Sequence, residues 1–197
     1  MSDTLHAAHP ALRDLAALLD DGRRELLAVW SSIPPADRER RPAPDAWTPA
    51  EVMDHLRIVE GGSARLLARR LQRAQEAGLG PESNPASRVG GMTAYDLPNS
   101  PVRLEAPEAV RPAPGASGAD AEAGLVATRA TLRDLLATAD GLALGEVRAQ
   151  HMRFGDLDMY QWLEFIALHE RRHARQLERL RDALAGTTTI GATTAAA

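Results

Sequence analysis

The chain has 197 residues, of which 44% are hydrophobic and 25% charged, and a formal net charge of −4; these values are typical of one globular domain. It contains neither cysteine nor lysine, which excludes disulfides, zinc–thiolate sites, cysteine nucleophiles, Schiff-base lysines and Walker lysines. No dense basic block, membrane-length apolar run or signal-peptide pattern is found, so we expect a cytoplasmic protein that binds neither nucleic acid nor membrane.

Two amphipathic helices are predicted in the first part of the chain. The first covers residues 10–32, with leucines at steps of three and four, and Pro34 and Pro35 end it. The second begins after Thr48, which has a glutamate three residues later in the pattern of a capping box, and continues to about residue 77. His55 lies on the apolar stripe of this second helix.

Residues 79–117 have no hydrophobic periodicity and hold more than half of the thirteen prolines, which indicates a long connection. A connection of this length can travel back along a bundle, so we expect the helices that it joins to run parallel. We interpret it as a structured crossover; the alternative is a lid over one mouth of the bundle.

Two more helices are predicted in the second half. The third covers residues 118–139, and residues 140–156 are expected to form a connection. The fourth runs from about Asp158 to Gly186, and residues 187–197 are expected to be a disordered tail. Strand-like alternation is absent, so the predicted fold class is all-α: one domain over residues 1–186, a four-helix bundle with a long crossover between helices two and three.

Three histidines lie on the apolar stripes of these helices. His169 and His173 are four residues apart on helix four, so their imidazoles project from one face, and His55 is on helix two. A buried imidazole needs a partner for its polar nitrogens. The alternative to a metal site is that each histidine is a packed core residue with a hydrogen bond to another protein group. Three imidazoles from facing helices would instead bind a metal and leave one coordination position open. Such ligands suit Zn, Ni, Fe or Cu without distinguishing among them.

A competing motif lies at residues 169–173, which read HERRH and match H-E-x-x-H. In a zincin protease the glutamate of this motif is the general base, and the third ligand usually comes from downstream. The short segment after His173 contains no histidine, and its acidic residues lie on the same helix. We therefore reject the protease interpretation and expect Glu170 to be a solvent-facing carboxylate or one that orients an imidazole.

Three segments carry a family resemblance: AWTPAEVMDHL (46–56), APEAVRPAP (106–114) and HMRFGDLDMYQWLEFIALHERRHARQL (151–177). Together they resemble the DinB/YfiT-like superfamily, in particular its DinB_2-type branch, over roughly residues 12–182. The resemblance implies a bundle of up-down-down-up topology, often a homodimer. It also implies a divalent metal bound by three histidines, which by position are His55, His169 and His173.

Characterised members of the family are thiol-dependent S-transferases or isomerases that use bacillithiol or mycothiol. The resemblance therefore implies a metal-dependent transferase or hydrolase that acts on a small electrophile in stress or detoxification, with Zn or Ni as the metal. The cation would lower the pKa of a bound water or thiol. Because the chain has no cysteine, any thiol must be a co-substrate. The alternatives are a non-catalytic bundle that binds a metal or small molecule, and a metal-free interaction module.

Two carboxylates and one tryptophan are candidates for the surroundings of the metal. Glu51 lies one turn before His55, and either it or Glu170 is a candidate to orient an imidazole. Trp47 is a candidate for the bundle mouth beside the metal, and it fits equally well as a hydrophobic staple before the cap of helix two.

Three polar residues in helix four or just before it are further candidates for the site. Arg172 and Gln176 fit the family pattern, and either they hold a ligand carboxylate or they tie the helix to a neighbour, which is the role we favour. His151, in the connection before helix four, is a candidate pocket residue rather than a metal ligand.

Overall fold

The computed structural model describes residues 9–100 and 105–194, the last stretch, 187–194, by its backbone alone. Its long helices are α1 (Pro10–Ser32), α2 (Pro49–Glu76), α3 (Gly118–Ala139) and α4 (Met159–Thr194). A short antiparallel hairpin precedes α4 and consists of β1 (Arg148–His151) and β2 (Gly155–Asp158). The predicted four-helix bundle is confirmed. Among the described residues, no helix is long and apolar enough to cross a membrane.

The two helices joined by the crossover, α2 and α3, run parallel as expected. Arg57 packs directly on Gly124, where a Cβ atom would lie only 2.1 Å from the arginine Cδ. Gly61 lies against Thr128, so contacts advance in the same direction along both helices. The small residues allow the two backbones to approach closely.

Helices α1 and α4 are the other parallel pair. Gly22 lies against the backbone of Ala167, and a Cβ there would be 3.0 Å from the Ala167 oxygen. Further along both helices, Arg181 donates a hydrogen bond to Ser32. Arg129 of α3 donates to the carbonyl oxygen of Leu19, and Trp30 donates to Glu122, so α1 runs antiparallel to α3. The bundle therefore has the expected up-down-down-up topology.

The start of α2 is fixed by the predicted capping box. The backbone N–H of Glu51 donates to Thr48 Oγ1 at 3.1 Å, and Glu51 Oε2 accepts from the Thr48 N–H at 2.8 Å. Two of the helix's unpaired N-terminal donors are thereby satisfied. The box also holds the first turn of α2, and with it His55 one turn later, in a defined position.

The predicted connection at residues 140–156 contains most of this hairpin, although the sequence shows no strand-like alternation. Arg148 pairs with Asp158 and His151 with Gly155, which has a φ of +76° that glycine adopts without strain. Each strand has only four residues, so its alternation is too short to stand out from a loop. The hairpin contributes one wall of the cavity described below.

The crossover is tied to the helices by buried carboxylates. Glu164 of α4 accepts hydrogen bonds from the backbone N–H groups of Gly90 at 2.9 Å and Met92 at 3.0 Å. Asp54 of α2 accepts from the N–H of Ala113 at 3.0 Å. These bonds support the interpretation of residues 79–117 as a structured crossover, apart from residues 101–104, which lie outside the described part of the chain.

Helix α4 extends beyond the end that the sequence predicts for it. Gly186 was predicted to end it, but α4 continues to Thr194. A single glycine costs a helix only about 1 kcal/mol relative to alanine and does not force it to end. The remainder of the predicted tail, residues 195–197, lies outside the described residues.

Four charged side chains, one from each helix, form a closed ring in the bundle interior. Arg23 of α1 bonds to both Glu60 of α2 and Glu170 of α4, and Arg129 of α3 bonds to the same two carboxylates. The Arg129 contacts measure 2.7 Å to Glu60 and 2.9 Å to Glu170. Each arginine also donates to a backbone carbonyl of a neighbouring helix. We call this set the charge ring.

Candidate metal centre

The structure brings the three stripe histidines together. One ring nitrogen each of His55, His169 and His173 forms a group whose members all lie within 4.8 Å of one another. The Nε2 atoms of His169 and His173 are 3.1 Å apart, as the four-residue spacing on one helix face allows. The His55 ring, from α2, lies with its centroid 5.2 Å from that of His169 and 4.9 Å from that of His173.

Hydrogen bonds at the Nδ1 atoms of His55 and His173 determine which ring nitrogens carry lone pairs. His55 Nδ1 lies 2.7 Å from the carbonyl oxygen of Val110, which can only accept, so Nδ1 carries the hydrogen. His173 Nδ1 lies 2.7 Å from Oε1 of Gln176 and donates in the same way. Both residues are therefore the tautomer with a lone pair on Nε2, the form that binds a metal through that atom.

The environment also keeps these imidazoles neutral. Burial lowers the pKa of His173 to about 3, and the repulsion that a protonated His55 would exert acts in the same direction. Burial is also the main cause that lowers the pKa of His55 and of His169. Lone pairs on neutral nitrogens 3.1 Å apart repel each other unless a proton or cation lies between them. One divalent transition metal ion would satisfy all three nitrogens, so the residues present fit such an ion.

A cavity of about 1350 Å³ opens onto the histidines. Its walls come from α2, the crossover, the hairpin and α4. Trp47 lines it with its ring centroid 5.1 Å from that of His55, and Phe165 stacks on His169 at 5.2 Å. In the described part of the chain, no carboxylate or further histidine joins the three-histidine group. The side of the group that faces the cavity is therefore available to a small molecule.

His151 lies in the same cavity but outside the histidine group. Its Nδ1 accepts hydrogen bonds from the backbone N–H groups of Arg153 at 3.1 Å and Phe154 at 3.3 Å, which places the free hydrogen on Nε2. Burial lowers the pKa of His151 to about 4, and the charge of Arg153 contributes. The structure thus places His151 as a neutral pocket residue.

Among the described residues, neither candidate carboxylate hydrogen-bonds a histidine. Glu51 closes the capping box of α2 and pairs with Arg41 at 2.6 Å. Glu170 is only 1% exposed and lies in the charge ring, rather than facing solvent or orienting an imidazole. Neighbouring helix positions are about 100° apart, so Glu170 faces the bundle interior while His169 faces the cavity. This orientation also leaves Glu170 unable to serve as the base of a zincin.

The remaining candidate, Arg172, lines the cavity and also supports the crossover. Its Nη1 donates to the carbonyl oxygens of Leu97 at 3.0 Å and Ser100 at 2.9 Å. The favoured role, which is to tie the helix to a neighbour, is therefore present in the structure. Gln176 has a different role from the two weighed for it, because it holds His173.

Sequence reasoning missed the carbonyl of Val110 as a partner of His55. A backbone acceptor in an irregular segment has no side-chain signature, so no pattern could have indicated it. Gln176 did have a signal, because residues three apart on a helix are neighbours and an amide oxygen can accept from an imidazole N–H.

Replacing Gln176 with leucine is expected to weaken metal binding by about 10–100-fold, because the orientation and basicity of His173 would no longer be supported. The affinity can be measured by competition with a chromophoric chelator. Gln176→Glu is the matched control, since a carboxylate also accepts from Nδ1 and should preserve the affinity. Equal loss in both variants would contradict the assigned role of the amide oxygen.

Comparison with known proteins is consistent with this geometry. The family model of the DinB superfamily matches residues 18–177. The uncharacterized protein YuaE of Bacillus subtilis (strain 168) is 26% identical over 160 residues, which is 79% of this chain and 92% of that protein. A solved structure described as TT2238, a four-helix bundle protein, has a TM-score of 0.55 and 24% identity and covers 84% of this chain and 97% of that chain, a likeness that shows the fold. The family match covers most of the sequence and includes all three histidines, so the chain belongs to the DinB superfamily.

Proposed function

We propose that this protein is a metal-dependent enzyme in which His55, His169 and His173 hold one divalent transition metal ion, Zn or Ni, at the inner end of the cavity. The reaction would be transfer of a low-molecular-weight thiol to a small electrophile, or hydrolysis of such an electrophile. The observation that carries the proposal is the group of three neutral imidazoles, two of them with fixed tautomers, beside an open cavity.

The ion, when bound, would supply Lewis-acid chemistry that lowers the pKa of a water molecule or thiol. The chain has no cysteine, so the thiol would come from a co-substrate of the bacillithiol or mycothiol kind. The protein's own residues have positioning roles. The carbonyl oxygen of Val110 accepts a hydrogen bond from His55, and the amide oxygen of Gln176 accepts one from His173. These two bonds hold the imidazoles in position.

The cavity walls would shape the reaction. Trp47 and Phe165 lie against His55 and His169, where they exclude water from one side of the histidine group. Electrostatic interactions are stronger in such a partly apolar environment than in bulk water. The open side would hold the electrophile within reach of the activated thiol or water.

The test is to compare metal-free and metal-loaded protein, both untagged to avoid a polyhistidine artefact. We expect about one equivalent of metal on the loaded protein. We also expect turnover of 1-chloro-2,4-dinitrobenzene with a thiol, or of 4-nitrophenyl acetate without one, that disappears with a chelator and returns on reloading. Equal rates for the two forms would contradict a metal-dependent enzyme. Stoichiometric metal without turnover of either substrate would favour a non-catalytic metal-binding bundle.

A further inference from the structure

The cavity has a charge opposite to that of the whole protein. The chain carries a net charge of −4, yet arginines outnumber acidic residues among those that line the cavity. The arginines come from the crossover, the tip of the hairpin and α4; they are Arg111, Arg153, Arg172, Arg175 and Arg179. A concave surface of one sign concentrates ligands of the opposite sign.

Two of these guanidinium groups donate hydrogen bonds to neutral backbone oxygens. Arg172 donates to the backbone oxygens of Leu97 and Ser100, and Arg175 donates to that of Pro98 at 3.0 Å. A carbonyl oxygen is a neutral acceptor, so the positive charge remains after the bond is made.

Two of the positive charges lie close together. Arg153 and Arg172 share a side pocket of about 70 Å³ next to the main cavity. Arg179 lines the same main cavity, on the same helix as Arg172. No ion pair found within residues 9–100 and 105–186 involves Arg153 or Arg179. An anion bound between these groups would relieve their repulsion.

An aromatic wall lies beside the charged group. Phe165 packs edge-on against Trp162 with centroids 5.8 Å apart and lies 5.9 Å from Phe154. All three rings line the cavity, and Phe165 also stacks on His169. A molecule that filled this space would therefore have an apolar body near the histidines and a charged end near the arginines.

We infer that the cavity selects small organic anions, whose carboxylate or phosphate group binds Arg153, Arg172 and Arg179 while the apolar body lies against Trp162 and Phe165. That such a molecule is the substrate rests on the proposed function. Recognition of the anion is independent of the proposed function, because the guanidinium groups belong to the protein itself. Guanidinium binds both kinds of oxyanion through paired N–H groups.

The experiment measures binding of benzoate, phenyl phosphate and neutral benzamide to metal-free protein by calorimetry, so that no anion can bind through the ion. Benzoate or phenyl phosphate is expected to bind at least about tenfold more tightly than benzamide and to weaken as salt is added. The tighter of the two anions identifies the preferred oxyanion. Benzamide binding as tightly as both anions would overturn the inference.

Two arginine variants locate the anion. Arg179→Gln and Arg153→Gln should each weaken the preferred anion by about tenfold and leave benzamide unchanged. Arg69→Gln is the matched control, because Arg69 is exposed on α2 and does not line the cavity. Circular dichroism verifies folding, and both residues are exposed, so loss of structure is not expected. Anion affinity that is unchanged in both cavity variants would overturn the assignment.

The metal content of the same preparations separates the two proposals. Anion selectivity that depends on Arg153 and Arg179 in a protein that takes up no metal would support this inference and contradict the proposed function. Stoichiometric metal uptake without anion selectivity would contradict this inference and support the metal site of the proposed function.

Discussion

Replacing His173 with alanine is expected to abolish stoichiometric metal binding. The wild-type group offers three nitrogens within 4.8 Å of one another, and the variant would offer two, one from each of two helices. Loss of a residue that only orients a ligand costs about 10–100-fold in affinity, so loss of the ligand itself should cost more than about 100-fold. Elemental analysis after dialysis would show about one equivalent on the wild type and almost none on the variant. His55→Ala should behave in the same way.

His151→Ala is the matched control for this experiment. His151 is also a partly buried histidine of the same cavity, but it lies outside the group of three. Its replacement should leave metal content unchanged. If His173→Ala kept its metal while remaining folded, or if His151→Ala lost as much, the assignment of the ligands would be contradicted.

Glu170→Gln is expected to lower the free energy of unfolding by about 3–5 kcal/mol. The substitution preserves shape but removes one of two negative charges from the charge ring, where Arg23 and Arg129 would share the single carboxylate of Glu60. Both arginines are at most 8% exposed, so water cannot compensate for the lost charge. Removing one partner from a buried ion pair typically has this cost. Urea denaturation of metal-free protein measures the change.

Two comparisons make the Glu170 experiment specific. Asp21→Asn breaks the exposed ion pair with Arg24, and its cost should be below about 1 kcal/mol. Because the Glu170 side chain faces away from the cavity, folded Glu170→Gln should bind metal as the wild type does. A loss of stability no larger than that of Asp21→Asn would contradict the role of the charge ring, and a loss of metal would contradict the orientation of Glu170.

Local patterns in the sequence predicted much of this fold. The bounds of α1 and α3, the capping box at Thr48 and the parallel arrangement of α2 and α3 agree with the structure. Each depends on residues close in sequence, or on the length of a connection. The three histidines could be grouped because each lies on an apolar stripe, and stripes of neighbouring helices must face one another.

The features that sequence reasoning missed depend on contacts between distant segments. A charged residue is normally placed on the solvent side of a helix, and only the pairing of Glu170 with arginines of two other helices makes its burial tolerable. The hairpin strands are too short to show a periodicity. The partner of His55 is a main-chain oxygen 55 residues away, so its identity depends on the path of the crossover.

That last contact couples ion binding to the order of an irregular segment. Because Val110 orients His55, the free energy gained when an ion binds must depend on whether residues 105–117 keep their path. Thermodynamic linkage is reciprocal, so an ion would in turn slow hydrogen exchange of the crossover amides. Substitutions in the crossover could therefore tune ion affinity while all three histidines remain unchanged. Evolution could then change the ion affinity through the crossover while the three ligands stay the same.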